Sequence, residues 1–254
     1  MDFLVGGGWE RVVGGESGAE VFRRGGVYAK CCSVEGIAEL RGERDRVGWL
    51  AGTGIPGAEV VDWIESEGGA ALLTTAVPGV GGGELPASRR AADSLAGIVK
   101  ALHEVPVAEC PFERRVDDVI GQAGDVVRRG VVEPDFLTDE WRLVPPERLL
   151  AGLYAELAEV KAKADLVVCH GDACLPNFLF DPDTLECTGM IDVGRLGIAD
   201  RYADLALLKA QLEDEWALDA TEFLTTYGLA EPDGQRLTFY RLLDSLSWAS
   251  AALE

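Results

Sequence analysis

The sequence is poor in basic residues, and this shortage excludes several classes of partner. Its 254 residues contain 23 lysines and arginines against 44 aspartates and glutamates, which gives a formal net charge of −21. A surface this acidic repels the phosphates of nucleic acids and anionic lipids, and it attracts cations. We therefore expect no nucleic-acid partner, and a small cationic substrate suits this charge.

Residues that build zinc sites and membrane spans are also scarce. The chain has only two histidines, His103 and His170, and its six cysteines form no CxxC pair, so zinc ligands at the usual spacing are missing. We predict that the cysteines are thiols in a reducing compartment. The first residues, MDFLVGGGWERVV, include no basic segment, and no stretch approaches the roughly 20 apolar residues of a membrane span. We expect a cytoplasmic protein with no membrane partner.

The periodicity of apolar residues changes along the chain. WERVV, AEVFRR and VYAK alternate with glycine-rich breaks, which predicts an antiparallel meander. Helical spacing of apolar residues follows from Ile37 to Leu50, and two more strands are expected at 59–64 and 70–76. Beyond the glycine-rich VPGVGGG, the helical segments predicted are 88–104, 116–129, 146–164, 201–215, 220–227 and 235–252.

These patterns predict an α+β fold with two lobes. Residues 1–76 form a small lobe with an antiparallel sheet and one helix, residues 77–83 a linker, and residues 84–254 a larger, mainly helical lobe. A short β region interrupts the helices. In it, LVVCHGD is followed by FLF and CTGMID, which flank the turn tetrapeptide Asp181-Pro182-Asp183-Thr184.

Three polar side chains in this β region have the chemistry of phosphoryl transfer. In HGDACLPN, Asp172 precedes Asn177, and the predicted hairpin returns the chain to Asp192. Asparagine and aspartate oxygens are hard ligands that can hold Mg²⁺, while a third carboxylate can accept the proton of an attacking hydroxyl. The alternative is that these residues are only polar loop ends. We interpret His170 as a buried residue that braces the loop rather than as a base.

The first lobe contains two weaker signals for nucleotide binding. The loop Gly14-Gly15-Glu16-Ser17-Gly18 leads into a strand and lacks the Lys-Ser/Thr of a P-loop, so it is either a plain hairpin turn or a kinase-like phosphate flap. Glu43 shares the inward helix face with Leu40 and Val47 and so needs a partner. Lys30, at the end of the third strand, is the candidate, and the two together match the lysine and glutamate that position nucleotide phosphates in kinases.

The motifs HGDACLPN, FDPDT and GMIDVGRLGIADRYADLAL make the chain resemble the aminoglycoside O-phosphotransferases, a kinase-like family of antibiotic-resistance enzymes. The resemblance covers nearly the whole chain. The segments GGESGAEVFRR, CPFERR, VEPDFL and DRYADLAL are most similar to streptomycin 3″-phosphotransferases, and the kanamycin-type 3′-phosphotransferases come second. The resemblance implies a protein-kinase-like fold, ATP or GTP as phosphate donor, Mg²⁺ as cofactor and a cationic aminoglycoside as acceptor.

Matched position by position, the resemblance implies a role for each of twelve residues. They are Asp172 (catalytic aspartate), Asn177 and Asp192 (magnesium ligands), Lys30 and Glu43 (phosphate-positioning pair), Ser17 (nucleotide loop), Thr75, Ala76 and Val77 (backbone contacts to adenine), Arg195 (cation beside the transferred phosphate), and Asp214 and Asp244 (antibiotic binding).

One departure from the family bears on the acceptor. Kanamycin-type enzymes commonly end in LLDE, whereas this chain has Ser245 after Asp244. The sequence therefore favours the 3″-hydroxyl of streptomycin as acceptor. A 3′-phosphotransferase of kanamycin or neomycin, a related metabolite kinase and a non-catalytic nucleotide-binding scaffold remain alternatives. The nucleotide preference and the oligomeric state stay open.

Overall fold

The computed structural model describes residues 7–12 and 20–249, which form two compact units. The first unit comprises the described residues up to Leu85 together with Pro176–Arg195, and the second comprises Pro86–Leu175 together with the described residues from Leu196 onward. Neither unit is therefore continuous in the chain. The division of the chain into lobes at residues 76 and 83 stays a prediction.

In chain order the elements are β1 (Glu10–Val12), β2 (Glu20–Arg24), β3 (Val27–Cys32), α1 (Ile37–Ala51), β4 (Val60–Ser66), β5 (Gly69–Thr75), β6 (Val80–Gly81), α2 (Arg89–His103), α3 (Val116–Arg129), α4 (Asp139–Arg142), α5 (Pro146–Lys163), β7 (Leu166–Cys169), β8 (Phe178–Phe180), β9 (Cys187–Met190), β10 (Gly197–Asp200), α6 (Tyr202–Asp214), α7 (Ala220–Tyr227) and α8 (Gly234–Ser247).

The first unit is built on a five-stranded antiparallel sheet with the strand order β1-β2-β3-β5-β4. Its residues alternate between two apolar layers, as strand geometry requires. Ala71 and Leu73 of β5 pack with Ala29 on one face, while Leu72 packs on the other face with Leu40 of α1. The predicted meander and the predicted helix are both confirmed.

A second, three-stranded sheet in the first unit has the order β6-β8-β9. The predicted turn between β8 and β9 is present, because Oδ1 of Asp181 accepts hydrogen bonds of 2.9 Å from the backbone N–H groups of Asp183 and Thr184. This pattern is an Asx turn, which the sequence Asp-Pro-Asp-Thr favours. The hairpin brings the chain at residue 191 back to residue 177.

The second unit consists of helices α2 to α8 and the antiparallel pair β7 and β10. Local signals set the helix ends: Oγ of Ser88 caps α2, Oδ1 of Asp233 caps α8, and Gly228, at φ 107°, ends α7 in the left-handed conformation. The prediction for α8 is wrong at its end. The helix stops at Ser247 because Trp248 is extended and the next residue pairs with residue 132.

The six cysteines all lie in the described ranges and are free thiols, as predicted. Burial raises the pKa of Cys31 to about 11 and that of Cys187 to about 12, so both stay protonated near neutral pH. Among the described residues, no helix has both the length and the apolar character to cross a membrane.

Candidate active site

Lys30 and Glu43 lie on facing elements of the first unit. Ala29 and Cys31 of β3 pack on the sheet face away from α1, so strand alternation directs Lys30 toward that helix. Glu43 lies on the buried side of α1 with Leu40 and Val47. Nζ of Lys30 donates a hydrogen bond of 2.8 Å to Oε2 of Glu43. The structure thus brings the two predicted partners together.

Asp192 is the third member of this cluster. Nζ of Lys30 also donates a hydrogen bond of 2.8 Å to Oδ1 of Asp192. Burial disfavours the ammonium, but the charges of Glu43 and Asp192 outweigh that effect, so the pKa of Lys30 is raised. Lys30 is therefore a cation at physiological pH, and it holds two carboxylates that would otherwise repel each other.

The backbone near Asp192 is adapted to this contact. Asp192 has φ 57°, in the left-handed region that aspartate tolerates better than most residues. Two residues later, a Cβ atom added at Gly194 would lie 3.3 Å from Oε2 of Glu43, which is tighter than an ordinary contact. A glycine at 194 therefore lets the chain pass beside the Glu43 carboxylate.

Asn177 lies at the same end of the β8–β9 hairpin as Asp192. The N–H of Ile191 donates a hydrogen bond of 2.9 Å to the carbonyl of Asn177, and Phe178 pairs with Met190 in the next position of the ladder. Asn177 is 8% exposed. A carboxamide oxygen and a carboxylate oxygen are hard ligands, so this pair of side chains fits Mg²⁺.

The other predicted nucleotide contacts fall in the first unit as well. Thr75 ends β5, and its N–H donates to the carbonyl of Glu59, while the N–H of Ala76 donates to the carbonyl of Gly26. At these two residues, the backbone carbonyls would therefore be the groups that accept hydrogen bonds from adenine. Val77 follows them, and Arg195 closes the short helical turn Val193–Arg195. Ser17 and the glycine loop at 14–18 lie outside the described residues.

Asp172 belongs to the second unit, in the loop that follows β7. Gly171 has φ 81°, which favours glycine and turns the chain just before Asp172. The N–H of Asp172 donates a hydrogen bond of 3.3 Å to Nδ1 of His170, which is fully buried. His170 thus contacts the loop backbone, in agreement with its interpretation as a brace.

A carboxylate that the sequence patterns did not single out holds this loop. Asp204 of α6 is 1% exposed, and its oxygens accept hydrogen bonds from the N–H groups of His170, at 2.6 Å, and Gly171, at 2.9 Å. The available signal was an acid within the otherwise apolar run YADLAL. A buried carboxylate requires such donors, because isolated charges are costly to bury.

The two acids predicted to bind the antibiotic differ in their surroundings. Asp244 of α8 lines a cavity of the second unit together with Gly171. Asp214, at the end of α6, is 61% exposed and lies 2.6 Å from Nη2 of Arg241. Ser245 is buried, and its hydroxyl donates to the carbonyl of Arg241 at 3.0 Å.

Comparison with known proteins decides the family. Residues 9–240 match the phosphotransferase enzyme family. The chain belongs to this family. It is 52% identical to the streptomycin 3″-kinase of Streptomyces griseus, with 97% of this chain and 94% of that protein covered. It is 42% identical to an aminoglycoside 3′-phosphotransferase of Streptomyces fradiae, with 93% and 94% covered.

Solved structures agree with this assignment. The phosphotransferase superimposes with a TM-score of 0.88 on the aminoglycoside phosphotransferase APH(3″)-Id from Streptomyces rimosus in complex with ADP and streptomycin, at 44% identity, with 95% and 93% of the two chains covered. The predicted α+β kinase-like fold and the predicted enzyme class, an aminoglycoside phosphotransferase, are therefore confirmed.

Proposed function

We propose that this phosphotransferase transfers the γ-phosphate of ATP to the 3″-hydroxyl of streptomycin. The observation that carries this proposal is its 52% identity to a streptomycin 3″-kinase, against 42% to a 3′-phosphotransferase of similar coverage. The absence of an acid at Ser245 points the same way, since kanamycin-type enzymes commonly have one there. ATP is proposed as donor because APH(3″)-Id was solved with ADP.

Asp172 is proposed as the catalytic residue. Its carboxylate orients the acceptor hydroxyl and accepts the proton as the hydroxyl oxygen attacks the γ-phosphorus. The bond between the γ-phosphorus and the β,γ-bridging oxygen breaks, and ADP leaves with the bonding electron pair. The short loop after β7, held at residues 170 and 171 by Asp204, fixes the backbone from which Asp172 projects.

The first unit is proposed to bind the nucleotide. Lys30, charged and held by Glu43, contacts the phosphates, and Arg195 supplies a second cation. Asn177 and Asp192 would hold Mg²⁺, which would offset the negative charge of the phosphates. Ser17 and the backbone of 75–77 contact the β-phosphate and adenine in this proposal.

Acids of the second unit are proposed to bind the acceptor. Streptomycin carries guanidinium groups, which form paired, charge-assisted hydrogen bonds with carboxylates. Asp214 and Asp244 are the candidates, and the net charge of −21 attracts a polycation over longer distances. We place the reaction in the cytosol, where ATP is available and where the six cysteines would stay reduced.

Steady-state kinetics with a panel of acceptors tests this function. Purified enzyme is assayed with ATP and, separately, GTP against streptomycin, kanamycin, neomycin and choline, and the product is assigned by NMR. We expect the highest kcat/KM for streptomycin with phosphate on the 3″-hydroxyl. Higher kcat/KM for kanamycin, or phosphate on a 3′-hydroxyl, would establish the alternative 3′-phosphotransferase.

A further inference from the structure

The hydroxyl of Tyr227 is connected to the catalytic loop by a chain of buried hydrogen bonds. It lies 2.8 Å from Nδ1 of His103, and Nε2 of His103 lies 3.1 Å from Oδ2 of Asp204. Asp204 accepts the N–H groups of His170 and Gly171, next to Asp172. All of these residues belong to the second unit.

We propose that Tyr227 is a positioning residue for Asp172, acting through His103 and Asp204. The proposal rests on the proposed function, in which Asp172 is the catalytic residue. Tyr227 is the last residue of α7, and the left-handed Gly228 closes the helix directly after it. Tyr227 is 3% exposed, and its ring meets the His103 imidazole edge to face, with centroids 5.5 Å apart.

The direction of the hydrogen bond between His103 and Asp204 follows from the ionisation of Asp204. Burial opposes ionisation, but the hydrogen bond from His103 and the hydrogen bond from the backbone N–H of Gly171 hold the pKa of Asp204 below its ordinary value. An ionised carboxylate only accepts, so Nε2 of His103 donates. The other ring nitrogen, Nδ1, has the Tyr227 hydroxyl as its hydrogen-bond partner. The hydroxyl can donate or accept, so it holds the His103 ring in the orientation that serves Asp204.

A metal ion is a second possible interpretation of the same groups. Among the described residues, His103, Cys169 and Asp204 offer ligand atoms that all lie within 4.8 Å of one another. However, the Asp204 oxygens already accept three N–H donors, and burial raises the pKa of the Cys169 thiol well above its usual value. A thiol that stays protonated is a poor metal ligand. The hydrogen-bond chain therefore accounts for the cluster better than a metal.

The Asp204 carboxylate serves three donors: two backbone N–H groups of the loop and Nε2 of His103. His103 therefore restrains the carboxylate, and the Tyr227 hydroxyl restrains the His103 ring. Loss of the Tyr227 hydroxyl leaves Nδ1 of His103 buried without its hydrogen-bond partner, which costs about as much as one buried hydrogen bond. We expect the consequence in the position of Asp172, not in the global fold.

The test is the substitution Tyr227→Phe, which keeps the ring and removes only the hydroxyl. We expect kcat to fall about tenfold, the change in barrier that matches one buried hydrogen bond, with KM for ATP unchanged. Tyr202→Phe is the matched control. Tyr202 is also buried in the second unit, and its hydroxyl accepts a hydrogen bond of 2.8 Å from the N–H of Asp233, just before α8.

A measurement independent of turnover separates positioning from general stability. In Tyr227→Phe, the amides of His170 and Gly171 should exchange with solvent deuterium faster, whereas Tyr202→Phe should leave them unchanged. The loss of kcat should also be smaller when Tyr227→Phe is introduced into a His103→Gln background, because the chain of hydrogen bonds is already interrupted at His103. If Tyr227→Phe does not fold, the same amide measurement on His103→Gln tests the proposal.

Three outcomes overturn the inference. One is a Tyr227→Phe enzyme with unchanged kcat and unchanged amide exchange. Another is a uniform loss of stability with normal kcat for each folded molecule, as counted by ATP binding. The third is full additivity with His103→Gln. Asp172→Asn distinguishes the two proposals: if it remains active, the proposed function fails as well, whereas an inactive Asp172→Asn with a fully active Tyr227→Phe rejects only the role of Tyr227.

Discussion

Nζ of Lys30 lies 2.8 Å from Oδ1 of Asp192, although 162 residues separate them in the chain. The same ammonium lies 2.8 Å from Oε2 of Glu43. One cation thus serves two carboxylates, and a partly buried carboxylate that loses its cation is destabilised. A phosphate that recruits this ammonium acts on all three groups, so we expect their contributions to nucleotide binding to be interdependent.

Lys30→Ala should raise KM for ATP about tenfold or more, because a hydrogen bond to a charged group contributes roughly 1.5–3 kcal/mol. Glu43→Gln should produce a smaller rise, since the lysine remains but is held less firmly. The double variant should be no worse than Lys30→Ala alone. Steady-state KM values for the four enzymes give the coupling directly.

The exposed pair of Arg41 and Glu65, also in the first unit with a distance of 2.8 Å, provides a control. Arg41→Gln removes a cation that faces solvent and should leave KM for ATP unchanged, since exposed ion pairs contribute about 0.2–1 kcal/mol. Effects of Lys30→Ala and Glu43→Gln that simply add would show that the two residues act separately.

Replacement of either proposed magnesium ligand should shift the metal dependence of activity. Asp192→Asn suits the left-handed φ of 57° and removes one charge, while Asn177→Ala removes one oxygen ligand. Both should raise the Mg²⁺ concentration at half-maximal rate several-fold. Asp183→Asn, in the exposed β8–β9 turn, removes an equal charge and should not. Identical Mg²⁺ titrations for all four enzymes would assign Asn177 and Asp192 to structure.

Long periodic segments were predictable from sequence because each of them buries only one face. Leu40, Val47 and Leu50 define the buried stripe of α1, and the observation that Glu43 lies in it predicted its contact with Lys30. The helix 116–129 is found with the predicted bounds. In these segments, local pattern and tertiary burial agree.

Short elements and shared partners were not predictable in the same way. The strand β6 has two residues and β10 has four, so neither shows a periodicity, and both exist only through pairing with distant strands. The role of Asp204 depends on loop amides 33 and 34 residues away in the chain. Likewise, Asp192 could be identified as a candidate ligand, but its contact with Lys30 depends on tertiary structure.

Asp172→Asn should lower kcat by roughly 10²–10⁴, because the amide keeps the size of the side chain but cannot accept the acceptor's proton as a base. KM for ATP should stay within about twofold, since nucleotide contacts are assigned to the first unit. Asp118→Asn, an exposed acid at the start of α3, controls for the loss of one charge. Wild-type kcat in Asp172→Asn at saturating substrates would contradict the assignment.

The acceptor is recognised, in our proposal, by two acids in different surroundings, and the structure predicts that their variants differ. Asp244 lines a cavity with Gly171, so Asp244→Asn should raise KM for streptomycin about tenfold, as expected for a charge-assisted contact. Asp214 already binds Arg241 in an exposed pair, and streptomycin would have to displace that arginine, so Asp214→Asn should have a smaller effect.

The same variants test whether these acids select the drug. If Asp244 contacts a guanidinium of streptomycin, Asp244→Asn should lower kcat/KM for streptomycin and leave KM for ATP unchanged. Arg241→Gln frees Asp214 from its partner and, if Asp214 faces the drug, should lower KM for streptomycin. Steady-state measurements on the three variants decide each case. An unchanged KM for streptomycin in both Asp244→Asn and Asp214→Asn would place acceptor recognition on other residues. The reason is that a polycation binds more weakly when it loses a carboxylate that it contacts.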